Sequence, residues 1–103
     1  MEIWKETYVL TGILPESEKF GIISQMNRAA SSIPANVAEG ASRDSQKDFK
    51  RFLQIALGSS FELETFLSGI NMLGFVEEVM SIKLLDLINE EQKMLMAFIK
   101  KLK

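Results

Sequence analysis

Residues 45–73 read SQKDFKRFLQIALGSSFELETFLSGINML, and this stretch decides the fold. Ser45 is a typical N-cap residue, and Asp48 three positions later completes a variant of the capping box. Apolar residues then recur at helical spacing on one side, without the strict alternation of a strand. They are Phe49, Phe52, Leu53, Ala56, Leu57, Leu63, Leu67 and Ile70. At about 1.5 Å per residue the predicted helix is roughly 40 Å long, so only long partner helices can cover it.

Glycine and proline residues divide the rest of the chain into three further helical segments. The first covers residues 2–11, the second runs from an N-cap at Ser17 to about residue 39, and the last begins at residue 76 or 81 and ends at 102. Pro34 lies inside the second segment, so we expect a kink or a local break just before it. The pattern predicts an all-α, antiparallel up-down four-helix bundle with a short first helix and a Pro-kinked second helix, formed as a single domain by residues 1–103.

The composition excludes most familiar enzyme chemistry. The chain has 103 residues, 47% of them apolar, and it contains no His and no Cys. It therefore lacks an imidazole base, a thiolate nucleophile, a disulfide framework and a zinc site. Glu39, Glu62 and Glu64 offer carboxylates, but no ligand-spaced loop contains them. We expect no enzymatic activity, no cofactor and no bound metal.

Charge and hydropathy bear on location and partners. Twelve Lys and Arg stand against fourteen Asp and Glu, and this net charge of −2 gives no general attraction to nucleic acid or anionic lipid. No apolar run approaches the roughly 18 residues of a membrane span. The start of the chain carries no secretory signal pattern. We expect a cytoplasmic protein without a membrane partner.

A polar stripe runs along the second helix around Pro34, opposite an apolar face. The apolar face is Phe20, Ile23, Met26, Ala30, Ile33 and Val37. The polar stripe is Gln25, Arg28, Ser32, Asn36 and Glu39. These side chains either face solvent, or satisfy backbone groups that the proline leaves free, or pack against another chain. Small alanines and the absence of lysine favour packing, with Arg28 and Glu39 available for a charge pair.

The fourth helix carries two apolar stripes. The stripe assigned to the core is Ile82, Leu85, Ile88, Leu95, Met96 and Ile99. The second stripe, about 110° away, is Met80, Leu84, Leu87, Met94 and Phe98. A helix of a monomeric bundle needs one apolar stripe, so the second predicts an interface between copies of the chain. The alternative is that the short first helix leaves a gap that this stripe fills.

Basic residues gather at two places that an up-down bundle brings to the same end. The start of the third helix carries Arg43, Lys47, Lys50 and Arg51. The end of the fourth carries Lys93, Lys100, Lys101 and Lys103. Together they would form a basic rim for nucleic acid. The terminal lysines also compensate the helix dipole, and we favour a solvated surface over nucleic-acid contact.

One continuous string resembles a known family. Residues 25–40, QMNRAASSIPANVAEG, followed by Phe49 to Leu53, Ala56, Gly58-Ser59 and Glu62-Leu63-Glu64, closely resemble the bacterial four-helix bundle proteins of the 23S rRNA intervening-sequence family. The match covers residues 15–74, and the fourth helix agrees in pattern only. The resemblance implies homopentameric rings of antiparallel bundles, no established enzymatic activity, and genes within intervening sequences of 23S rRNA genes or elsewhere.

The chain is also similar to the accessory variability determinant proteins of retroelements, which are basic pentamers that bind a reverse transcriptase and nucleic acid. The first helix is shorter than is usual in the family, and the isoelectric point near 5.2 departs from those basic proteins. The resemblance implies that the polar stripe serves shared structure, as a helix kink, packing or subunit contact. The leading hypothesis is a non-enzymatic homo-oligomer, with a pentamer favoured, and the second is an accessory factor that binds RNA or DNA.

Overall fold

Four α-helices make up the computed structural model, which describes residues 2–102 apart from the side chains of residues 18–20. They are α1 (Glu2–Thr11), α2 (Ser24–Ala41), α3 (Gln46–Met72) and α4 (Glu78–Lys101). No strand forms within the described range. The prediction of an all-α four-helix bundle is confirmed. Two predicted positions, the side chain of Phe20 and the whole of Lys103, lie outside the described part of the chain.

Each helix packs against the next, and α4 also packs against α1. Near the start of α3 and the end of α4, the rings of Phe49 and Phe98 meet edge to face with their centroids 5.2 Å apart. Between α1 and α4, Lys83 Nζ lies 3.1 Å from Glu6 Oε1. The four helices enclose an apolar core of Leu10, Leu14, Met26, Ala29, Ala30, Ile33, Leu53, Ala56, Leu63, Leu67, Ile70, Leu84, Ile88 and Leu95.

The prediction that Ser17 caps the start of α2 is wrong. Glu16–Glu18 forms a 3₁₀ turn and Lys19–Ile23 forms a wider π-helical turn, so the α-helix begins only at Ser24. Gly21 leaves the helical path with φ −104° and ψ −105°. Apolar spacing does not reveal this interruption, because the glycine changes the backbone path without changing the pattern.

Through Pro34, α2 continues without interruption, so the predicted local break does not occur. Neighbouring side chains donate to carbonyls of the same helix: Asn36 Nδ2 to Ser32 O at 2.8 Å, and Ser31 Oγ to Arg28 O at 3.1 Å. These side chains give additional hydrogen-bond donors to backbone carbonyls near Pro34, which has no N–H of its own. A bend of the helix axis at Pro34 stays a prediction.

The predicted start of α3 is confirmed. Ser45 has extended backbone angles, and its hydroxyl accepts a hydrogen bond from the Asp48 N–H at 3.0 Å. After α3 ends at Met72, the chain turns at Gly74, whose φ of 75° lies in the left-handed region that glycine adopts at little cost. The short turn leads directly into α4.

The buried face of α4 lies between the two predicted stripes. Leu84, assigned by sequence to a surface between copies, is 1% exposed and belongs to the core, whereas Ile82 and Met96, assigned to the core, are 49% and 45% exposed. The cause is a pair of buried polar residues, Ser81 and Gln92, which lie on the same face as Leu84. A pattern of apolar residues leaves out Ser81 and Gln92, so it does not locate the centre of the buried face of α4 correctly.

Gly40 lets the end of α2 approach the start of α3 closely. A Cβ atom at this position would lie 2.8 Å from Phe49 Cδ1 and 2.8 Å from Phe52 Cβ. The Phe49 ring can rotate, but Phe52 Cβ is attached to the helix backbone and moves only with it. Any larger residue at position 40 therefore forces the two helices apart.

We predict that Gly40→Ala lowers the free energy of unfolding by about 1–3 kcal/mol, because the added methyl group overpacks this contact. Gly69→Ala is the matched control, since a Cβ there has no neighbour within 4 Å. It should gain about 0.5–1 kcal/mol from the better helix propensity of alanine. Urea unfolding followed by circular dichroism measures both, and equal stability of the two variants would contradict the close approach.

Candidate functional site

The middle of the polar stripe forms a hydrogen-bonded contact between α2 and α3. The hydroxyls of Ser32 and Ser59 lie 2.9 Å apart. Asn36 Nδ2 donates to Ser32 Oγ at 2.9 Å as well as to the Ser32 carbonyl. All three residues are half-buried, so the pairing of their polar groups matters energetically. This part of the stripe serves packing within one chain.

The two ends of the stripe face outward and do not meet. Arg28 donates to Gln25 Oε1 within the first turns of α2. Glu39 Oε2 lies 2.7 Å from a guanidinium nitrogen of Arg43. The charge pair between Arg28 and Glu39 that the sequence offered does not form, because each charged group finds a partner three or four residues away along the chain.

A pocket of about 230 Å³ opens where α1, α2 and α4 converge. Its apolar walls come from Ile3, Trp4, Ile33, Pro34, Leu87 and Met94. Three acidic residues complete the lining, Glu2, Glu90 and Glu91. Pro34, around which the polar stripe runs, is thus a pocket residue. The pocket was not predicted from the sequence, although a tryptophan on a short helix is a usable signal for one.

The second apolar stripe of α4 divides into a covered part and an uncovered part. Met80 and Leu87 are half-buried and line cavities beside α1. Met94 is 61% exposed and Phe98 is 44% exposed, although the Phe98 ring contacts Phe49. The interpretation that this stripe fills a gap beside the short first helix fits Met80 and Leu87, whereas Met94 and Phe98 remain exposed and the interface between copies stays a prediction.

Four of the predicted basic residues come together in two pairs. Lys50 of α3 and Lys100 of α4 line the same shallow groove. Arg43 and Arg51 both lie over the Phe52 ring, with guanidinium carbons 4.9 Å and 4.7 Å from its centroid. The remaining described members of the two basic sets, Lys47, Lys93 and Lys101, are exposed.

Among the described residues 2–102, no group of three or more His, Cys, Asp or Glu side chains could hold a metal ion. Over the same range, every helix is too short or too polar to cross a membrane.

The sequence model of the 23S rRNA-intervening sequence proteins matches residues 1–97. The chain belongs to this family. The resemblance carried by the string around Pro34 is thereby confirmed, and the match extends beyond that string into α4.

A solved structure gives an independent comparison for this intervening-sequence protein. The crystal structure of a protein of unknown function from the S23 ribosomal protein family of Bacteroides thetaiotaomicron is similar to it, with a TM-score of 0.90 and 27% sequence identity. The similarity covers 97% of this chain and 94% of that chain. No curated protein sequence matches. Family and fold are therefore shown, and the cellular role has to be argued from the surface.

We predict that Ser32→Ala lowers the free energy of unfolding by about 1–2 kcal/mol, because it removes a half-buried hydroxyl that joins two helices. Ser31→Ala is the matched control, since that hydroxyl donates only to a carbonyl of its own helix, and it should change stability by less than about 0.5 kcal/mol. A double-mutant cycle of Ser32→Ala with Ser59→Ala should give a coupling of about 0.5–1.5 kcal/mol. Additive effects would contradict a direct bond between the hydroxyls.

Proposed function

We propose that this 23S rRNA-intervening sequence protein acts as a non-enzymatic homo-oligomeric assembly module, with five copies favoured by the family resemblance. The observation that carries the proposal is the uncovered end of the α4 stripe. Met94 and Phe98 project where α1 no longer covers α4, and Trp4 of α1 lies beside Met94 with 39% of its surface exposed. Contiguous exposed apolar side chains of this size are typical of interaction sites.

The hydrogen bonds of two serine hydroxyls support the proposal of a non-enzymatic role. Ser59 and Ser60 are the nucleophile candidates in the middle of α3, and the chain has no His or Cys to activate them. The Ser59 hydroxyl is paired with Ser32, and the Ser60 hydroxyl is buried and donates to the Leu57 carbonyl at 2.6 Å. Both groups are occupied by structural bonds.

Light scattering coupled to size exclusion tests the assembly. We predict a mass several times the 11.6 kDa of one chain at micromolar concentration, with five copies favoured. Elution as a monomer would overturn the proposal. Met94→Gln should weaken the assembly, because it replaces an exposed apolar contact with a polar group. Met72→Gln is the matched control: Met72 is 82% exposed at the end of α3, outside the stripe, and its replacement should leave the mass unchanged.

A second candidate function is nucleic-acid binding by the basic end. It is supported by the placement of Lys50 and Lys100 along one groove and of Arg43 and Arg51 over one ring. Side chains held in this way lose little further freedom on binding phosphates. The net charge of −2 limits the strength of such binding, so we rank this function second.

Binding of structured RNA and duplex DNA, measured at about 50 mM salt, tests the second function. We predict an affinity that falls steeply as salt rises, and Lys47→Gln should reduce the salt slope by about one unit through loss of one phosphate contact. Lys5→Gln on α1 is the matched control and should leave the slope unchanged. Absence of measurable binding at low salt would exclude this function.

A further inference from the structure

Two surfaces at the same end of the bundle are complementary in charge and similar in apolar character. The first is the pocket where α1, α2 and α4 converge, which Glu2, Glu90 and Glu91 line together with Trp4 and Met94. We name it the acidic pocket. The second is the groove between α3 and α4, and we name it the lysine groove. It is lined by Lys50, Gln54, Leu57, Met96, Ile99 and Lys100.

The charges of both surfaces are unpaired in the described part of the chain. Within residues 2–102, the ion pairs are Arg43 with Glu39 and Lys83 with Glu6. Neither pair uses a carboxylate of the acidic pocket or a lysine of the lysine groove. Charged residues without an ion-pair partner, beside apolar walls, are suited to a partner that brings the opposite charge together with apolar area.

The size of the acidic pocket favours a protein side chain as its occupant. Its volume of about 230 Å³ is below the roughly 300–1,000 Å³ of typical small-molecule sites. A lysine or arginine side chain has a cationic head for the carboxylates and an apolar stem for the walls, and Trp4 offers an aromatic face for the cation.

The two surfaces are distinct, although α4 contributes to both. The acidic pocket is lined by α1, α2 and α4, and the lysine groove by α3 and α4. One copy can therefore present both surfaces at once, and a head-to-tail contact can repeat from copy to copy.

We propose that the acidic pocket of one copy docks on the lysine groove of the next, so that Glu90 and Glu91 face Lys50 and Lys100 across each subunit contact. This inference rests on the proposed self-association and specifies the partner, a second copy of this chain, and the residues that meet. Met94 lines the acidic pocket and Met96 lines the lysine groove, so Met94 of one copy would lie in the same contact as Met96 of the next.

Charge reversal tests the pairing. Glu90→Lys with Glu91→Lys should place like charges across the contact, and so should Lys50→Glu with Lys100→Glu. In light scattering at a fixed chain concentration, each double variant should dissociate at a concentration at least tenfold higher than the wild type. The fourfold variant, which restores opposite charges in exchanged positions, should recover the wild-type mass.

Controls separate folding from association. Glu16→Lys with Glu62→Lys makes the same charge change at exposed positions outside both surfaces and should keep the wild-type mass. Circular dichroism should show the helical spectrum for every variant. Where a reversal variant loses that spectrum, Glu90→Gln with Glu91→Gln takes its place, and it should weaken association without like-charge repulsion.

The outcomes are distinct. If the wild type is a monomer, the proposed self-association fails and this inference fails with it. If the wild type is an oligomer and the reversals leave its mass unchanged, the pairing is wrong while the self-association stands. If the lysine reversal keeps the mass but abolishes RNA binding, the lysine groove serves nucleic acid and the inference is overturned.

Discussion

The unequal lengths of the helices constrain everything else in this structure. The first helix, α1, has 10 residues, whereas α3 and α4 have 27 and 24. At about 1.5 Å per residue, a helix of roughly 15 Å cannot cover partners of roughly 35–40 Å. The surface that it leaves open includes Met94 and Phe98, and the pocket beside Trp4 lies at the boundary of the covered region. Part of the apolar surface of α4 therefore stays exposed in a single copy.

The contact between α2 and α3 fixes the arrangement of these two helices, which the short α1 does not do. Gly40 allows the two helices to approach, and the hydroxyls of Ser32 and Ser59 join them further along. Asn36 supports this bond and also provides a donor to the backbone near Pro34. The middle of the polar stripe, Ser32 and Asn36, therefore acts inside the bundle, whereas Arg28 and Glu39 at its ends are exposed. The acidic pocket and the lysine groove together involve all four helices.

Features set by neighbouring residues could be predicted from the sequence, and features set by tertiary packing could not. The Ser45 cap depends on Asp48 three residues away, so it was predictable, as were the four helices and the family. The rotation of α4 depends on Gln92, whose side chain is buried because it donates to Glu64 of α3 at 2.9 Å. No local pattern contains that bond, and Leu84 was misassigned as a result. The acidic pocket was missed for the same reason, since three helices contribute to it.

Trp4 offers the most direct measurement of the central claim, that apolar surface left open by α1 is covered by another copy. It is the single tryptophan of the chain and lies on the boundary of that surface. Quenching of its fluorescence by acrylamide, a neutral quencher that the carboxylates do not repel, should be followed across the concentration range in which light scattering shows assembly. The account predicts that quenching falls and the emission shifts to shorter wavelength as the mass rises. Quenching that stays constant while the mass rises would contradict it.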